Sequence, residues 1–543
     1  MKHQITSKSA QKLITDRNAD WIIKNFKFYA GDHWQGGDGW VGPRLDQKHA
    51  KYAETMVSLE KIFLSKNVIA SVVDAHSQAV IGREPHWNIQ PRIHKNEEDD
   101  EDTGTLIQKE ADHLIQIWLD SLTGIAYRDG DDTEIRPCSP FTALLAATRF
   151  ALLTKRGTLR FLISPKAIFT DTATDSPVVP PMAPDKLAKL IHIQATNPVQ
   201  ATVHFDPKEL EPIGVYAYEE ESGEGGTHKN LMAELTYLND EQHTVLEIVN
   251  EDALDDRVGS NQTTLQLNGN LLHFEFEIPL FINNQIQQAQ KALNKAKTME
   301  SKNLDQGGFL ERVILNAQAP GTWEKDEKTG DEKFIPQALE IGPGYSTFLQ
   351  GIETERADGS AGVATPSVSY RNPTPPDTFI ETAKDIEGDI LMQVSQAHRG
   401  MEGNANTSGV SRVQARESFR QSLSKTETEV NAAIKWMLET YLGLIAALSG
   451  QPGRYDELAV TGNAQLDIGV TSSDEHSQAI AAYKEKLQSR ETTMAKLGID
   501  DVLAEVERIN NDSLGGTSVD EEDGNDDKDK ETETGSDDNR ATE

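Results

Sequence analysis

The chain is short of cysteine, of aromatic side chains and of positive charge, and it contains no long apolar run. Cys138 is the only cysteine among 543 residues, which excludes an intrachain disulfide and a cysteine-based zinc site and fits a reducing compartment. No window approaches the roughly 18 uninterrupted apolar residues that a membrane span needs. The most apolar helical run, residues 141–153, is interrupted by Arg149 and reads as a buried helix. Residues 1–20 are polar and lack the apolar stretch of a secretory signal. Lys and Arg number 53 against 88 Asp and Glu, a formal net charge of -35. Such acidity argues against a protein that coats nucleic acid by neutralising phosphates. Hydrophobic residues make up 37% and aromatics 6%, and part of this deficit is concentrated after Leu514.

Recognisable catalytic patterns are missing as well. The glycine-rich stretch 36–42 lacks a following Lys-Ser/Thr and no strand precedes it, so it is no phosphate-binding loop. The 14 histidines include no pair at the helical spacing of a zinc hydrolase, and His33, His86, His273 and His398 are expected on surfaces or loops. There is no Gly-x-Ser-x-Gly elbow. Acidic pairs such as Asp99/Asp100 and Asp131/Asp132 read as solvated charge before they read as a cation site. No enzyme activity, metal or cofactor is expected.

What is present is an ordered alternation of elements, enough for three or four structural units. Helices alternate over residues 11–81 around the glycine-rich loop at 31–40. Val68, Val72, Ala75 and Ala79 give residues 67–81 one apolar face, and Gly82 and Pro85 end the helix. Residues 85–91 form a short extended segment between two prolines. The acidic run 97–102 is a solvated loop or a helix start, and Leu106, Ala111, Leu114, Ile115 and Trp118 mark a helix to Leu119. From Gly157 the apolar period shortens to two, giving strands near 159–163, 191–193, 203–205, 215–218, 235–238 and 245–249. Residues 265–276, broken by Asn268-Gly269-Asn270, read as a hairpin. The fold class is α+β.

Two further helices, 283–304 and 378–399, bracket a Gly/Pro-rich insert, with Thr378 and Glu381 placed for a capping box. Both are poor in large apolar side chains, and helices of that kind pack in an assembly or line a wet space. A Gly/Asn/Ser-rich loop at 400–409 follows. From Val410, the residues Leu423, Val430, Ile434, Met437, Tyr441, Leu444, Ile445 and Leu448 recur at three- and four-residue steps and predict a long packed helix. Gly450, Pro452 and Gly453 end it. A strand at 465–470, a helix from Ser472 to about 490 and a charged helix at 501–510 are expected next. Beyond Gly515 the chain is acidic with almost no apolar residue, and disorder is expected.

Several pieces in this order resemble the portal proteins of tailed bacteriophages, the head-to-tail connectors of the capsid. They are Phe28-Tyr29-Ala30-Gly31-Asp32-His33-Trp34, the run from Asn67 to Asp74 leading into Ile81-Gly82-Arg83-Glu84-Pro85, and Ala292-Leu293-Asn294. Further along come Gly308-Phe309-Leu310-Glu311-Arg312, Asn316-Ala317-Gln318-Ala319-Pro320-Gly321, the run from Thr407 to Ala415, and Lys496-Leu497-Gly498-Ile499 to Glu507-Arg508-Ile509. The resemblance implies a wing over 1–281, a first stem helix over 282–308, a small αβ clip over 309–374 and a second stem helix over 375–399. It further implies a tunnel loop over 400–412, a long helix over 413–450 and a mostly helical crown over 451–514. The acidic tail, 515–543, lies outside it.

The same resemblance implies a homo-oligomeric ring, usually a dodecamer, at one capsid vertex of the virion, assembled in the host bacterial cytoplasm. Double-stranded viral DNA would pass through it. The large terminase subunit and then a head-completion or adaptor protein would dock on it, with major capsid and scaffold proteins around it and no membrane. The candidate tunnel-loop residues are Gly400, Met401, Glu402, Gly403, Asn404, Ala405, Asn406, Thr407, Ser408 and Gly409, and the candidate DNA-facing cations are Lys291, Lys295, Arg399 and Arg412. A second reading of Lys291, Lys295, Lys297 and Lys302 pairs them with acids such as Glu381, Asp385 and Glu387 of a neighbouring helix. Arg399, Arg412, Arg416 and Arg420 either meet phosphate or hold the loop base through Glu402 or Glu417. A minor capsid or scaffold-interacting protein without a channel, and an unfamiliar hydrolase, are the competing classes.

Overall fold

The computed structural model describes residues 5–17, 20–34, 52–91, 101–128, 131–163, 169–171, 176–178, 183–206, 211–222, 228–249 and 262–308. It further describes 311–318, 321–325, 332–336, 351–355, 359–371, 374–401, 409–467 and scattered positions from 480 to 509. The chain divides into two compact units at Asp467. The first is a mixture of helices and sheets, α+β as expected; among the described residues no helix is long and apolar enough to cross a membrane. Of the second, helical positions are described at Ile480, Ala481, Tyr483 and Lys484, and at isolated residues beyond. The acidic tail and most of the two helices expected after Ser472 lie outside the described residues.

Two five-stranded sheets make the β-rich part of the first unit. One is a meander-like sheet, built from Ala201–Asp206, Glu211–Ser222, His228–Leu238, Thr244–Val249 and Gln262–Leu265, each antiparallel to the next. The helix Ser7–Thr15 covers it: Ala10 and Ile14 pack with Ile213, Val215, Leu235 and Tyr237, all buried. The other sheet runs in the order His273–Glu277, Arg156–Ile163, Ile191–Thr196, Gly124–Arg128, Asp131–Cys138. Its last two strands carry no strong alternating pattern and were not foreseen in the sequence. The helix Pro140–Thr154 lies on this sheet, started by Ser139, whose hydroxyl accepts the Thr142 amide at 3.2 Å, and by Pro140 at its first position.

The hairpin expected over 265–276 does not form. Asn268 and Gly269 do turn the chain, with φ of 52° and 77°, but Gln262–Leu265 pairs with Thr244–Val249 while His273–Glu277 pairs with Arg156–Ile163 in the other sheet. The turn therefore hands the chain from one sheet to the other. Local turn chemistry cannot distinguish that crossing from a hairpin.

Buried ions join the two sheets. Glu275 meets Arg17 at 2.6 Å and Arg156 at 3.5 Å, and it accepts the Thr202 hydroxyl and the Val203 amide on the edge strand of the meander. Arg160 reaches across to Glu234 at 3.1 Å, bonds Gln194 and lies 3.5 Å over the Tyr216 ring. His273, expected at a surface, is buried and hydrogen-bonded to Thr236 at 2.8 Å. Burial, with a smaller contribution from the Arg160 charge, holds its pKa down at about 3.

The long helix, Gly409–Leu448, forms as its periodicity predicts. Its second half is buried on nearly every side. Trp436 donates to the Leu271 carbonyl at 3.0 Å and packs on Phe161 and Phe274; Tyr441 stacks on Trp118 at 4.4 Å and donates to the Leu114 carbonyl at 3.1 Å. The indole of Trp118 donates to Ile191 O, so this aromatic cluster ties the long helix to Glu101–Leu119 and to the central sheet. A strand not expected from the sequence, Leu458–Asn463, follows the helix and pairs antiparallel with His86–Pro91; of the strand expected at 465–470, residues 465–467 are not strand and 468–470 lie outside the described residues. Gly462 sits where a side chain would strike Ile434 of the long helix at 2.2 Å.

Trp118→Ala should cost about 3–5 kcal/mol by cavity formation, and Tyr441→Phe only about 1 kcal/mol by loss of one hydrogen bond. Chemical denaturation midpoints measure both. Equal losses would mean that the cluster is held by its polar tips and not by ring packing.

Candidate functional site

The region with the most distinctive architecture is the pair of helices around the insert. The outgoing helix runs Asn284–Gly308 and the return helix Pro376–Gln393. They pack side by side, and at one end Asn303 clamps the start of the return helix, donating to Thr374 O at 2.7 Å and accepting its amide at 3.0 Å. They are consequently antiparallel. The return helix begins at Pro376, with proline preorganised at the first helical position and no side-chain cap. The capping box expected from Thr378 and Glu381 does not form, since Thr378 is already inside the first turn. The return helix also ends earlier than residue 399. Its backbone breaks at Val394 to Gln396, with Ser395 at φ 59°, before a short helix Ala397–Met401.

The scarcity of apolar residues on the outgoing helix has a specific cause. One face is a row of buried polar side chains: Gln287, Gln290, Asn294 and Thr298, at steps of three and four residues. Gln290 is fully satisfied: its carbonyl accepts the amides of Val68 and Ile69 at 3.1 and 3.3 Å, and its NH2 donates to Lys66 O at 2.7 Å and Asn294 Oδ1 at 3.0 Å. It thereby caps the helix Val68–Ile81 from outside, beside the local cap Asn67, which accepts the Ala70 amide. Asn294 donates to His33 Nδ1 at 3.1 Å, leaving Nε2–H to donate to Phe28 O at 2.9 Å. His33 is therefore buried and structural, a correction to its expected surface position. Thr298 bonds the amide and the carbonyl of Leu64, and Gln287 donates to Asn25, which donates to Leu153 O and Ile282 O.

The basic residues of this helix are distributed in three ways. Lys291 is half-buried, with its ammonium 6.0 Å from the Phe28 ring centre; Lys295 is half-buried; Lys297 pairs with Glu300 of its own helix at 2.9 Å. Glu387 pairs with Lys66 at 2.5 Å, so the lysine that meets it comes from before Val68–Ile81 and not from the outgoing helix. Lys302, Glu381 and Asp385 are exposed.

At the end of the return helix, Gln396 donates to Val72 O at 2.7 Å, and Arg399 donates to Ser71 O and Ser71 Oγ at 3.0 and 2.7 Å. Arg399 is thus committed to the helix Val68–Ile81. Gly400 and Met401 belong to the short helix and Gly409 to the long one; Glu402, Gly403, Asn404, Ala405, Asn406, Thr407 and Ser408 lie outside the described residues, as does the side chain of Arg412. The candidate loop is therefore shorter at both ends than residues 400–412. Glu417 accepts from Gln421. Between the short helix and the long one, His398 packs on Phe419 at 4.9 Å, and His76, buried against Phe281 and Phe419, bonds the Thr426 hydroxyl at 3.0 Å. Burial alone pulls the His76 pKa down to about 4.

The insert shows strands only among its described residues. Glu311–Leu315 pairs with Ser367–Arg371 at its base, and Gly321–Lys325 with Glu332–Pro336 and Glu353–Glu355 with Ala361–Val363 form ribbons beyond. The helical part of the αβ unit expected at 309–374 does not appear there. No group of three or more His, Cys, Asp or Glu among the described residues is arranged to hold a metal ion. No protein-family model and no curated protein matches this sequence. The site thus rests on its geometry: two antiparallel helices, held to the body by amides, carrying a β insert at one end and a glycine-rich connection to the long helix at the other.

The amide row carried a signal that was available in the sequence. Gln287, Gln290, Asn294 and Thr298 recur with the period of a buried face, written in polar residues where apolar ones are normally sought. Gln290→Ala should destabilise the protein by about 1–3 kcal/mol, since it removes the Ile69 amide's side-chain acceptor and leaves the Val68 amide and Lys66 O with only each other; Lys302→Ala, on the exposed side, should change stability by less than about 0.5 kcal/mol. Denaturation midpoints decide. His76 gives a pH test: its folded pKa lies below the unfolded value of 6.5, so the unfolded chain binds the extra proton and stability falls as pH drops from 6.5 towards 4. His76→Gln should reduce that slope by about 1.4 kcal/mol per pH unit, measured as unfolding free energy between pH 7 and 5.

Proposed function

We propose that copies of this chain close into a ring around a channel for double-stranded DNA, with the role of a tailed-phage portal protein. The observation that carries this reading is the order of parts along one chain: outgoing helix, β insert, returning helix, short glycine-rich connection and a 40-residue helix, strung in the order of the sequence pieces that resemble portals. In this reading residues 1–281 are the wing, the paired helices are the stem, the insert is the clip, the segment between Met401 and Gly409 is the tunnel loop, and a crown follows the long helix. The stem is stiff because its helices are bonded to Val68–Ile81 by side-chain amides, and it can act as a wall without an apolar lining. The net charge of -35 suits transit, since a weakly repulsive wall lets a polyanion slide where a basic groove would hold it.

The protein then supplies geometry and no chemistry. Work comes from a separate ATPase, the large terminase subunit, docked on the insert, and an adaptor takes that place once DNA is packed. Lys291 and Lys295 remain the stem cations nearest in role to DNA contact, whereas Arg399, bonded to Ser71, is assigned to holding the loop base.

Electron microscopy of the purified chain should show rings with a central hole, one per particle in assembled capsids; a monodisperse monomer at high concentration, or many copies per particle, rejects the reading. Deleting residues 403–407 should leave ring formation intact and lower DNA packaging or retention, and unchanged packaging would remove the loop's assigned role.

A further inference from the structure

The return helix presents an acidic row to solvent. Ala383, Ile390 and Leu391 are buried, and Asp377, Glu381, Asp385 and Asp389, four residues apart, are exposed. Among the described residues none of the four carboxylates meets a cation within the subunit. The first half of the long helix has the opposite character. From Ser411 to Thr428 the buried side chains among the described residues are Phe419, Leu423 and Thr426, while Arg416 and Arg420, also four residues apart, are exposed and meet no carboxylate among the described residues. Lys384 lies beside the four carboxylates and Glu417 beside the two arginines, one opposite charge in each case, so the acidic row stays negative and the basic one positive. Four residues of helix advance about 6 Å, so a carboxylate pair such as Glu381 and Asp385 has the same spacing as the two arginines, and rows of the i±4 kind interdigitate when helices cross.

We infer that these two rows are the two halves of one contact between neighbouring copies: the acidic row of one subunit docks on Arg416 and Arg420 of the next. The inference rests on the ring reading above and specifies it. A closed ring is built from a head-to-tail contact, which needs two different, complementary patches on each subunit. Copies that each carry -35 repel one another beyond the contact, and only cations placed at the contact, within a screening length of about 8 Å at physiological salt, can reverse the sign locally. Arginine suits the task because its planar fork takes a carboxylate bidentately. Pairs of this type select the partner and its register more than they add raw affinity.

The test is a charge swap on the full-length chain, with ring population read by mass photometry at fixed protein concentration and helix content by circular dichroism. R416E/R420E and, separately, E381R/D385R should each reduce the ring fraction at least tenfold with helix content unchanged, and the four changes together should restore it. The wild-type ring should also loosen as sodium chloride is raised from 0.1 to 1 M. Rings that persist in both double variants overturn the inference while leaving the ring reading standing. Loss in both without recovery in the combined chain likewise overturns it, because the rows would then act independently. A wild-type chain that never forms rings removes the ring reading, and this inference with it.

Discussion

The paired helices depend on one physical arrangement: amide side chains buried in place of apolar ones along the outgoing helix. A glutamine in a dry site is costly unless every donor and acceptor finds a partner, and Gln290 finds four. Two of them are amides at the start of Val68–Ile81, where the first turn offers no intrahelical acceptor and every helix must find one elsewhere. The same residues therefore solve two problems at once, the burial of a polar helix and the capping of its neighbour. An apolar face would pack with wide tolerance for sliding, whereas hydrogen bonds to named backbone atoms admit one register. The position of the helix pair against the body is set by that register, continued by Asn294 on His33, Thr298 on Leu64 and Asn303 on Thr374.

The rest of the first unit is held by more ordinary means, and the contrast matters for function. Rings of Trp118, Phe161, Trp436 and Tyr441 anchor the buried half of the long helix, and the Arg–Glu seam of Arg17, Arg156 and Arg160 with Glu234 and Glu275 joins the sheets. A buried ionic seam contributes little net stability but fixes orientation, because breaking one partner strands the other. The outward carboxylates of the return helix and Arg416 and Arg420 of the long helix have no such ties among the described residues. Rigid attachment at one side and free charged surface at the other is what a subunit needs if its remaining contacts come from neighbours.

Much of the fold could be read from the residues. The period-3.6 runs gave the helices Val68–Ile81, Glu101–Leu119 and Gly409–Leu448 because their buried faces are apolar and continuous, and the period-2 runs gave the strands of the meander for the same reason. Gly124–Arg128 and Asp131–Cys138 have little alternation of their own, and what defines them as strands is their pairing with each other and, for Gly124–Arg128, with Ile191–Thr196. The turn at Asn268 and Gly269 was recognised, but its flanking strands went to different sheets. Of the candidate site, the order of helices and loop was visible, while the shorter return helix, the commitment of Arg399 to Ser71 and the burial of His33 were not. The last two depend on partners more than 200 residues away in the chain.

The sequence by itself determined the strongly periodic helices and strands, the absence of an intrachain disulfide and the acidic balance, since these follow from local spacing and from composition. Only the tertiary structure decided which polar residues are buried and what they bind. Hydrophobic periodicity reports that a face is removed from water, but the free energy of a buried amide or ion depends on whether a partner atom lies within about 3 Å in the right direction. That condition belongs to the arrangement of distant segments, and no window of the chain contains it.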